Sequence, residues 1–484
     1  MSTTFLAMLA RVFVKGGILS PGDLLKVIDV ARQLGSDYVH LGSRQDILFP
    51  VHASDRAVEL LDTLPLPYDY GERRYQNIMS SYITLDVVAT TRWLAPHIYH
   101  YVLDSFDYLP THKINVTDPL QGMVPLFTGN INFVASPVDN YWYLYLRYSE
   151  IDPYPWCCPD LIYGFDLAEV AKGIEALDPA RHPRSYDEVY RSLRDQVSFN
   201  TRAPEQPLRY PEMMFPYYEG MNRVEENKYW MGLYWRNNQF TNKFLRALSE
   251  RCLETQVGVI SLTPWKSLIV KGITEKTRTG WEKLLGRHGI NLRHSSLELN
   301  WHLPVADVEA LTLKNYLVRA LDQQDISTYG LTFSVKTQSH KTLFASVVIE
   351  RAKREDEQQP YLYNILYAKD FNPNLLEYLY YTKGVTQEII PAILIELSKK
   401  YYEQLDARKS LSLPEEPIQQ AKKMVYQCPQ CLTLYDPAIG DLSSKISAGT
   451  FWEQLPDTYQ CSVCDEPKES FKRIAWSDPS TTPF

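Results

Sequence analysis

Four of the seven cysteines in this 484-residue chain stand as two Cys-x-x-Cys pairs, Cys428/Cys431 and Cys461/Cys464, with 29 residues between them. A Cys-x-x-Cys pair in a tight turn puts two sulfurs on one side of the backbone, and a second such turn closes a tetrahedron around one ion. The spacing therefore confines residues 424–474 to a small module built around a metal. Spacing alone does not separate iron from zinc, because four thiolates suit both. Disulfides are the weaker reading. The N-terminal MSTTFLAMLARVFVKGG has an apolar stretch broken by Arg11, with no basic leader and no small-residue cleavage site, and no run of about 18 apolar residues occurs anywhere. A cytoplasmic protein without a membrane span is expected, and there thiols stay reduced.

Between and after the pairs lie YDPAIG (435–440), Asp441, Gly449-Thr450, Leu455-Pro456, Tyr459, Pro467-Lys468 and Phe471. This pattern, over roughly 50 residues, resembles the rubredoxins. The resemblance implies one iron per chain that cycles between ferric and ferrous with all four thiolates bound, its potential tuned by backbone N–H groups, burial and nearby charge. The sequence departs from the family in the residue after each second cysteine, which is usually glycine and is Leu432 and Asp465 here. These turns are expected to need a positive φ, which glycine adopts most easily. Aspartate takes it at modest cost, whereas leucine is harder to account for. The Asp465 charge should disfavour the more negative ferrous state. From residue 424 onward eight acidic side chains face four basic ones. That balance steers a partner with a basic face toward the domain, or serves only solubility.

The first 400 residues contain a repeat. Residues 20–51 read as a helix, with Leu24, Val27, Ala31 and Leu34 at helical spacing, then a strand pair ending in DILFPV. A shift of 221 positions lays Leu24, Val27 and Ala31 on Leu245, Leu248 and Cys252, and HLGSRQDILF on SLTPWKSLIV. A further helix follows each copy, at ASDRAVELLDTL and TEKTRTGWEKLLGRHG. Strand-forming stretches come next, HKINVTDPLQGMVPLFTGNINFVAS with YWYLYLR and YGLTFSVKTQSHKTLFASVVIER with PYLYNILYA.

A duplicated α+β unit with Ser-Arg-Gln-Asp-Ile in one copy and Leu-Thr-Pro-Trp-Lys in the other resembles the nitrite and sulfite reductase hemoproteins, over most of residues 10–370. The resemblance implies two halves, each a ferredoxin-like module plus a lobe, with siroheme bridged to a four-iron four-sulfur cluster between them. It also places Arg44 on the family's Arg-Gln motif and Lys266 in the matching strand of the second copy, as contacts for an anion or a tetrapyrrole. The expected organisation is 1–72 and 216–300 as ferredoxin-like half-domains, 73–215 and 301–406 as lobes, 407–423 as a tether carrying Pro414 and Pro417, 424–474 as the iron domain and 475–484 as a tail.

The cluster needs two close-spaced cysteine pairs in the second half. After Cys252 there is no cysteine until Cys428, and the corresponding stretches read VKTQSHKT (335–342) and YQNIMSSYI. Siroheme and the cluster are therefore expected to be absent. Cys157 and Cys158 are adjacent and poorly placed to chelate one ion, Cys252 lies on an apolar helix face, and His340 has no ligand pattern around it. No phosphate-binding glycine loop or nucleophile motif occurs, so no catalytic residue is assigned. A net charge of -8 without a basic stripe argues against nucleic acid, and the 34 tyrosines read as packing. The leading expectation is a one-electron carrier on a catalytically silent reductase-like platform that docks a redox partner in nitrate, nitrite or sulfite assimilation. The alternatives are an oxidoreductase holding siroheme or another tetrapyrrole, and a zinc-bearing assembly protein.

Overall fold

The computed structural model describes residues 8–52, 55–71, 74–148, 151–152, 154–181, 185–211, 215–216, 218–290, 298, 300–337, 344–352, 360–411, 423–437, 440–441, 443–444, 446–447 and 450–476. The chain forms two compact units, Met1–Tyr401 and Tyr402–Phe484.

The larger unit begins with β1 (Met8–Val12), β2 (Ile18–Leu19), α1 (Pro21–Gln33), β3 (Tyr38–Leu41), β4 (Ile47–Val51), α2 (Ala57–Leu61) and β5 (Tyr68–Tyr70). The first lobe follows as β6 (Ile78–Ser80), α3 (Pro96–Ser105), β7 (Ile114–Thr117), β8 (Ile131–Ala135), β9 (Tyr141–Leu146), β10 (Trp156–Tyr163), α4 (Leu167–Leu177), α5 (Tyr186–Gln196) and β11 (Thr201–Arg202). The second half has β12 (Gly220–Glu225), β13 (Lys228–Tyr234), β14 (Phe240–Thr241), α6 (Asn242–Glu254), β15 (Ile260–Leu262), β16 (Ser267–Thr274) and α7 (Glu275–Arg287). Its lobe has β17 (Trp301–His302), α8 (Val308–Asp322), β18 (Phe333–Lys336), β19 (Val347–Arg351), β20 (Tyr363–Ala368), β21 (Tyr378–Val385) and α9 (Ile390–Leu411).

The repeat holds at the level of single side chains. Helix α1 is capped by Ser20, whose hydroxyl accepts from the Asp23 N–H, and α6 by Thr241, which accepts from the Phe244 N–H. Leu24, Val27, Ala31 and Leu34 are buried, as are Leu245, Leu248 and Cys252, and all belong to one core shared by both modules. Each buried leucine contributes about 2 kcal/mol by apolar transfer. The turns joining β3 to β4 and β15 to β16 carry a left-handed residue at the same place, Gln45 (φ 58) and Lys266 (φ 59). Before the helices, Gly16 and Gly17 are left-handed, and so are Asn237 and Asn238. A Cβ at Gly17 would stand 2.7 Å from the Leu262 carbonyl, so the first copy needs glycine there.

The two module sheets run β14-β3-β4-β1-β5 and β2-β15-β16-β13-β12. Strand β2 of the first copy pairs with β15 of the second, and β14 of the second pairs with β3 of the first, so each module lends the other an edge strand. The lobe sheets share a design. In β6-β7-β8-β9-β10-β11 the first three strands are parallel and the rest antiparallel, and β17-β18-β19-β20-β21 follows the same directions.

Helix α9 reaches Leu411, five residues into the stretch read as a tether. Ala-Arg-Lys-Ser-Leu contains no breaker, and the first proline is Pro414. The rest of that stretch, the N-terminal seven residues, the 475–484 tail beyond Trp476 and His340 lie outside the described residues. Among the described residues no helix is long and apolar enough to cross a membrane.

Candidate metal centre

The smaller unit is a three-stranded antiparallel sheet, β23-β22-β24, made from β22 (Lys423–Gln427), β23 (Leu434–Tyr435) and β24 (Lys472–Trp476). Its core is aromatic. Tyr435, Leu455 and Tyr459 are buried, with Tyr426, Trp452 and Phe471 packed on them, and Tyr426 stacks on Trp452 at 4.1 Å. Asp441 accepts from the Tyr459 hydroxyl at 3.0 Å and from the Ser443 and Ser444 N–H groups, and Lys468 donates to the Leu455 carbonyl at 2.6 Å. The spacer residues that mark the sequence pattern are thus the ones that hold the two cysteine turns in place.

The turns are near copies. The Cys428 N–H donates to Thr433 O (2.9 Å) and the Leu432 N–H to Cys428 O (3.0 Å). In the second, the Cys461 N–H donates to Glu466 O (2.8 Å) and the Asp465 N–H to Cys461 O (2.9 Å). Closing such a turn requires a left-handed residue after the second cysteine, and Leu432 (φ 63) and Asp465 (φ 57) both take that conformation, as expected.

The four sulfurs lie within 4.8 Å of one another, with Cys428–Cys464 at 3.5 Å and Cys431–Cys461 at 3.4 Å. Bonds of ~2.3 Å from a central ion give a tetrahedron with edges of ~3.8 Å, so the set fits a tetrahedral metal. Cys428 and Cys461 are buried, whereas Cys431 and Cys464 are half-buried. The Thr433 hydroxyl, 3.1 Å from Cys431 Sγ, leads the interactions that pull that thiol down to about 6 without metal.

Arg44 is anchored on the first lobe through its two terminal nitrogens, while its Nε is buried without a hydrogen-bond partner. Its guanidinium donates to Asn115 Oδ1 (2.6 Å), Asn77 O (2.8 Å) and Ile114 O (2.7 Å). Burial, then the neighbouring Arg11, press it down to about 9, so it stays cationic at neutral pH. The stretch YQNIMSSYI joins the module to the lobe. Asn77 donates to Val14 O and Arg44 O, and the Gln45 amide pairs with the Ser80 backbone in both directions. Sequence reasoning missed the basic residues near Arg44. Lys113 is pressed down to about 8 by burial and by Arg44, Arg11 and Arg147, while Arg11 pairs with Asp46. These cations are scattered in sequence, and only the lobe's strand order gathers them.

Lys266 is buried within electrostatic reach of His40 and His302. Burial, then Lys266, press His302 down to about 3. Trp265, which takes the place of Arg44 in the second copy, donates Nε1–H to Met123 O (2.7 Å) and packs against Phe215 (4.6 Å) and His302 (5.8 Å). Around it, Met79, Ile83, Met123 and Val124 from the first lobe meet Tyr218, Trp230, Tyr234 and Ile269 in one buried cluster. Cys252 is buried, Cys158 is buried, and Cys157 is exposed on β10.

Residues 425–471 match the rubredoxin family, and residues 7–64 match the nitrite/sulfite reductase ferredoxin-like half domain. Rubredoxin-1 of Chlorobaculum tepidum is 38% identical over 59 residues, covering 12% of this chain and 86% of that protein. Rubredoxin-2 of Desulfovibrio desulfuricans is 43% identical over 49 residues, 10% of this chain and 79% of that protein. The anaerobic nitric oxide reductase flavorubredoxin of Pectobacterium atrosepticum is 34% identical over 59 residues, and the match spans only 12% of its length. Among solved structures, the NirA protein of Mycobacterium tuberculosis superposes with a TM-score of 0.59 at 14% identity, over 81% of this chain and 80% of that one. The N-terminal region thus has a nitrite/sulfite reductase-like fold, and through residues 425–471 the chain belongs to the rubredoxin family.

Proposed function

We propose that the protein carries single electrons on a rubredoxin-type iron held by Cys428, Cys431, Cys461 and Cys464, and that its reductase-like region is a catalytically silent platform for a redox partner. The observation that carries this reading is the contrast between two sites. The four thiols converge on one tetrahedral position, while among the described residues no other group of three or more Cys, His, Asp or Glu side chains gathers to hold a metal. The Trp265 cluster adds support, because side chains of both halves fill part of their junction.

When bound, the iron supplies a one-electron couple. The chain keeps four thiolates in a cage whose turns are closed by backbone hydrogen bonds, so the geometry changes little between the two states. The half-buried Cys431 and Cys464 offer the shorter route to the surface. The family likeness of the platform supports a partner and a setting in nitrate, nitrite or sulfite assimilation, and a cytoplasmic location is proposed with them. The division into half-domains at 1–72 and 216–300, lobes at 73–215 and 301–406, a tether and the iron domain is proposed with it.

One observation favours a second reading. Arg11, Arg44 and Arg147 lie close enough to repel Lys113, and Arg11 to repel Arg44, with Asp46 as a near carboxylate, a setting suited to an anion or a tetrapyrrole carboxylate. Metal analysis and a visible spectrum on protein made in cells with intact siroheme synthesis decide the matter. The first reading expects one iron per chain, with ferric-thiolate bands that bleach on one-electron reduction. Tetrapyrrole bands with additional iron establish the second, and colourless protein with stoichiometric zinc overturns both.

A further inference from the structure

The two cysteine turns match in backbone and differ in one side chain. In each, the N–H two residues past the half-buried cysteine reaches its sulfur, from Thr433 to Cys431 and from Glu466 to Cys464. The carbonyl of that same residue accepts from the first cysteine of its pair. Thr433 then adds something that Glu466 does not. Its hydroxyl lies 3.1 Å from Cys431 Sγ, whereas the Glu466 carboxylate has no proton to give. A thiolate on iron carries no proton either, so between Thr433 Oγ1 and Cys431 Sγ the threonine is the donor. Four thiolates outweigh the charge of the iron in both oxidation states, and by more in the ferrous one. A hydrogen bond to an anion strengthens as negative charge accumulates on the acceptor, so this one favours the ferrous form. The carboxylates of Asp465 and Glu466, which follow Cys464, act in the opposite sense.

We propose that the Thr433 hydroxyl, donating to the Cys431 thiolate, raises the reduction potential of the iron and offsets the two acidic side chains beside Cys464. The backbone treats the two half-buried sulfurs alike, so the asymmetry between them comes from this side chain. The proposal rests on the iron reading and names the residue by which this chain adjusts the driving force of that site.

Potentiometric titration of the full-length, iron-loaded protein tests it. At a potential set by dithionite and a mediator dye, the ferric site takes up one electron and becomes ferrous, with no proton bound and no ligand lost. Thr433→Val keeps the shape and removes the hydroxyl. It should lower the equilibrium constant for reduction by roughly three- to tenfold, tenfold being about 59 mV for one electron. Thr433→Ser keeps a hydroxyl and should stay near the wild-type potential. In the ferric spectrum the sulfur-to-iron charge-transfer bands should move to lower energy in Thr433→Val, because a thiolate without its donor gives up electron density more readily. The mirror-image change is an independent measurement. Glu466→Thr should stand above Glu466→Val, since both lose the same carboxylate and they differ by the hydroxyl. Equal potentials in wild type and Thr433→Val, or a fall shared by Thr433→Ser, overturn the proposal. Should Thr433→Val not hold iron, equal potentials within the Glu466 pair overturn it. Absence of ferric-thiolate bands in the wild-type protein overturns the iron reading itself, so the two failures are told apart before any potential is measured.

Discussion

At the scale of single residues, the two cysteine turns spend backbone energy in different ways. Leu432 and Asp465 occupy the same left-handed position, but only aspartate tolerates it readily. Leu432→Gly should therefore stabilise the iron-loaded domain by roughly 0.5–1 kcal/mol, the left-handed cost less the added chain entropy of glycine, and Asp465→Gly by less. Following the loss of visible absorbance on heating measures both. In metal-free protein the Thr433 hydroxyl holds the Cys431 thiol down at about 6, so above that pH it is the thiolate of the set. Iodoacetamide at neutral pH should label Cys431 first, labelling should fall as pH drops through about 6, and Thr433→Val should remove the preference, as read by peptide mass spectrometry. The need for left-handed turns was legible because Leu432 and Asp465 stand where glycine usually does. The role of Arg44 was not, because its partners are Asn115 and two carbonyls that approach from strands more than thirty residues away.

At the scale of elements, the duplication was readable where it rests on amphipathic periodicity. Helices α1 and α6 begin 221 positions apart and bury the side chains their spacing predicts. The two-residue strands β2 and β14 left no periodic signal, since two positions cannot alternate, and their partners lie in the other copy. Asn237-Asn238 likewise hid its equivalence to Gly16-Gly17, because asparagine reaches the left-handed region by a different side chain. Strand β16 also carries a testable group. Lys271 donates to Leu85 O and Tyr82 O across to the first lobe, and burial presses it down from 10.5 to about 8. Below about 8 the ammonium keeps its proton both folded and unfolded, so the cost of burying it is fully present. Between there and 10.5 the unfolded chain binds more protons than the folded one, so stability rises with pH. The urea midpoint of the wild-type protein should gain on that of Lys271→Met as pH goes from about 7 to about 10.

At the scale of the whole molecule, the two compact units should respond separately to loss of the ion, because the smaller one owes its fold to four thiolates as much as to its few aromatic side chains. Acid or a strong chelator should lower the thermal transition of the C-terminal unit and leave that of the larger unit in place; a single merged transition that moves with metal content would contradict this, and differential scanning calorimetry reads it. The larger unit has a constraint of another kind. Its first module borrows β14, which lies some 200 residues beyond β3, and gives up β2 in return. During synthesis on the ribosome the N-terminal module therefore waits with an open edge until residue 241 has emerged, so a stalled or truncated chain exposes a ready template for misassociation rather than a finished domain.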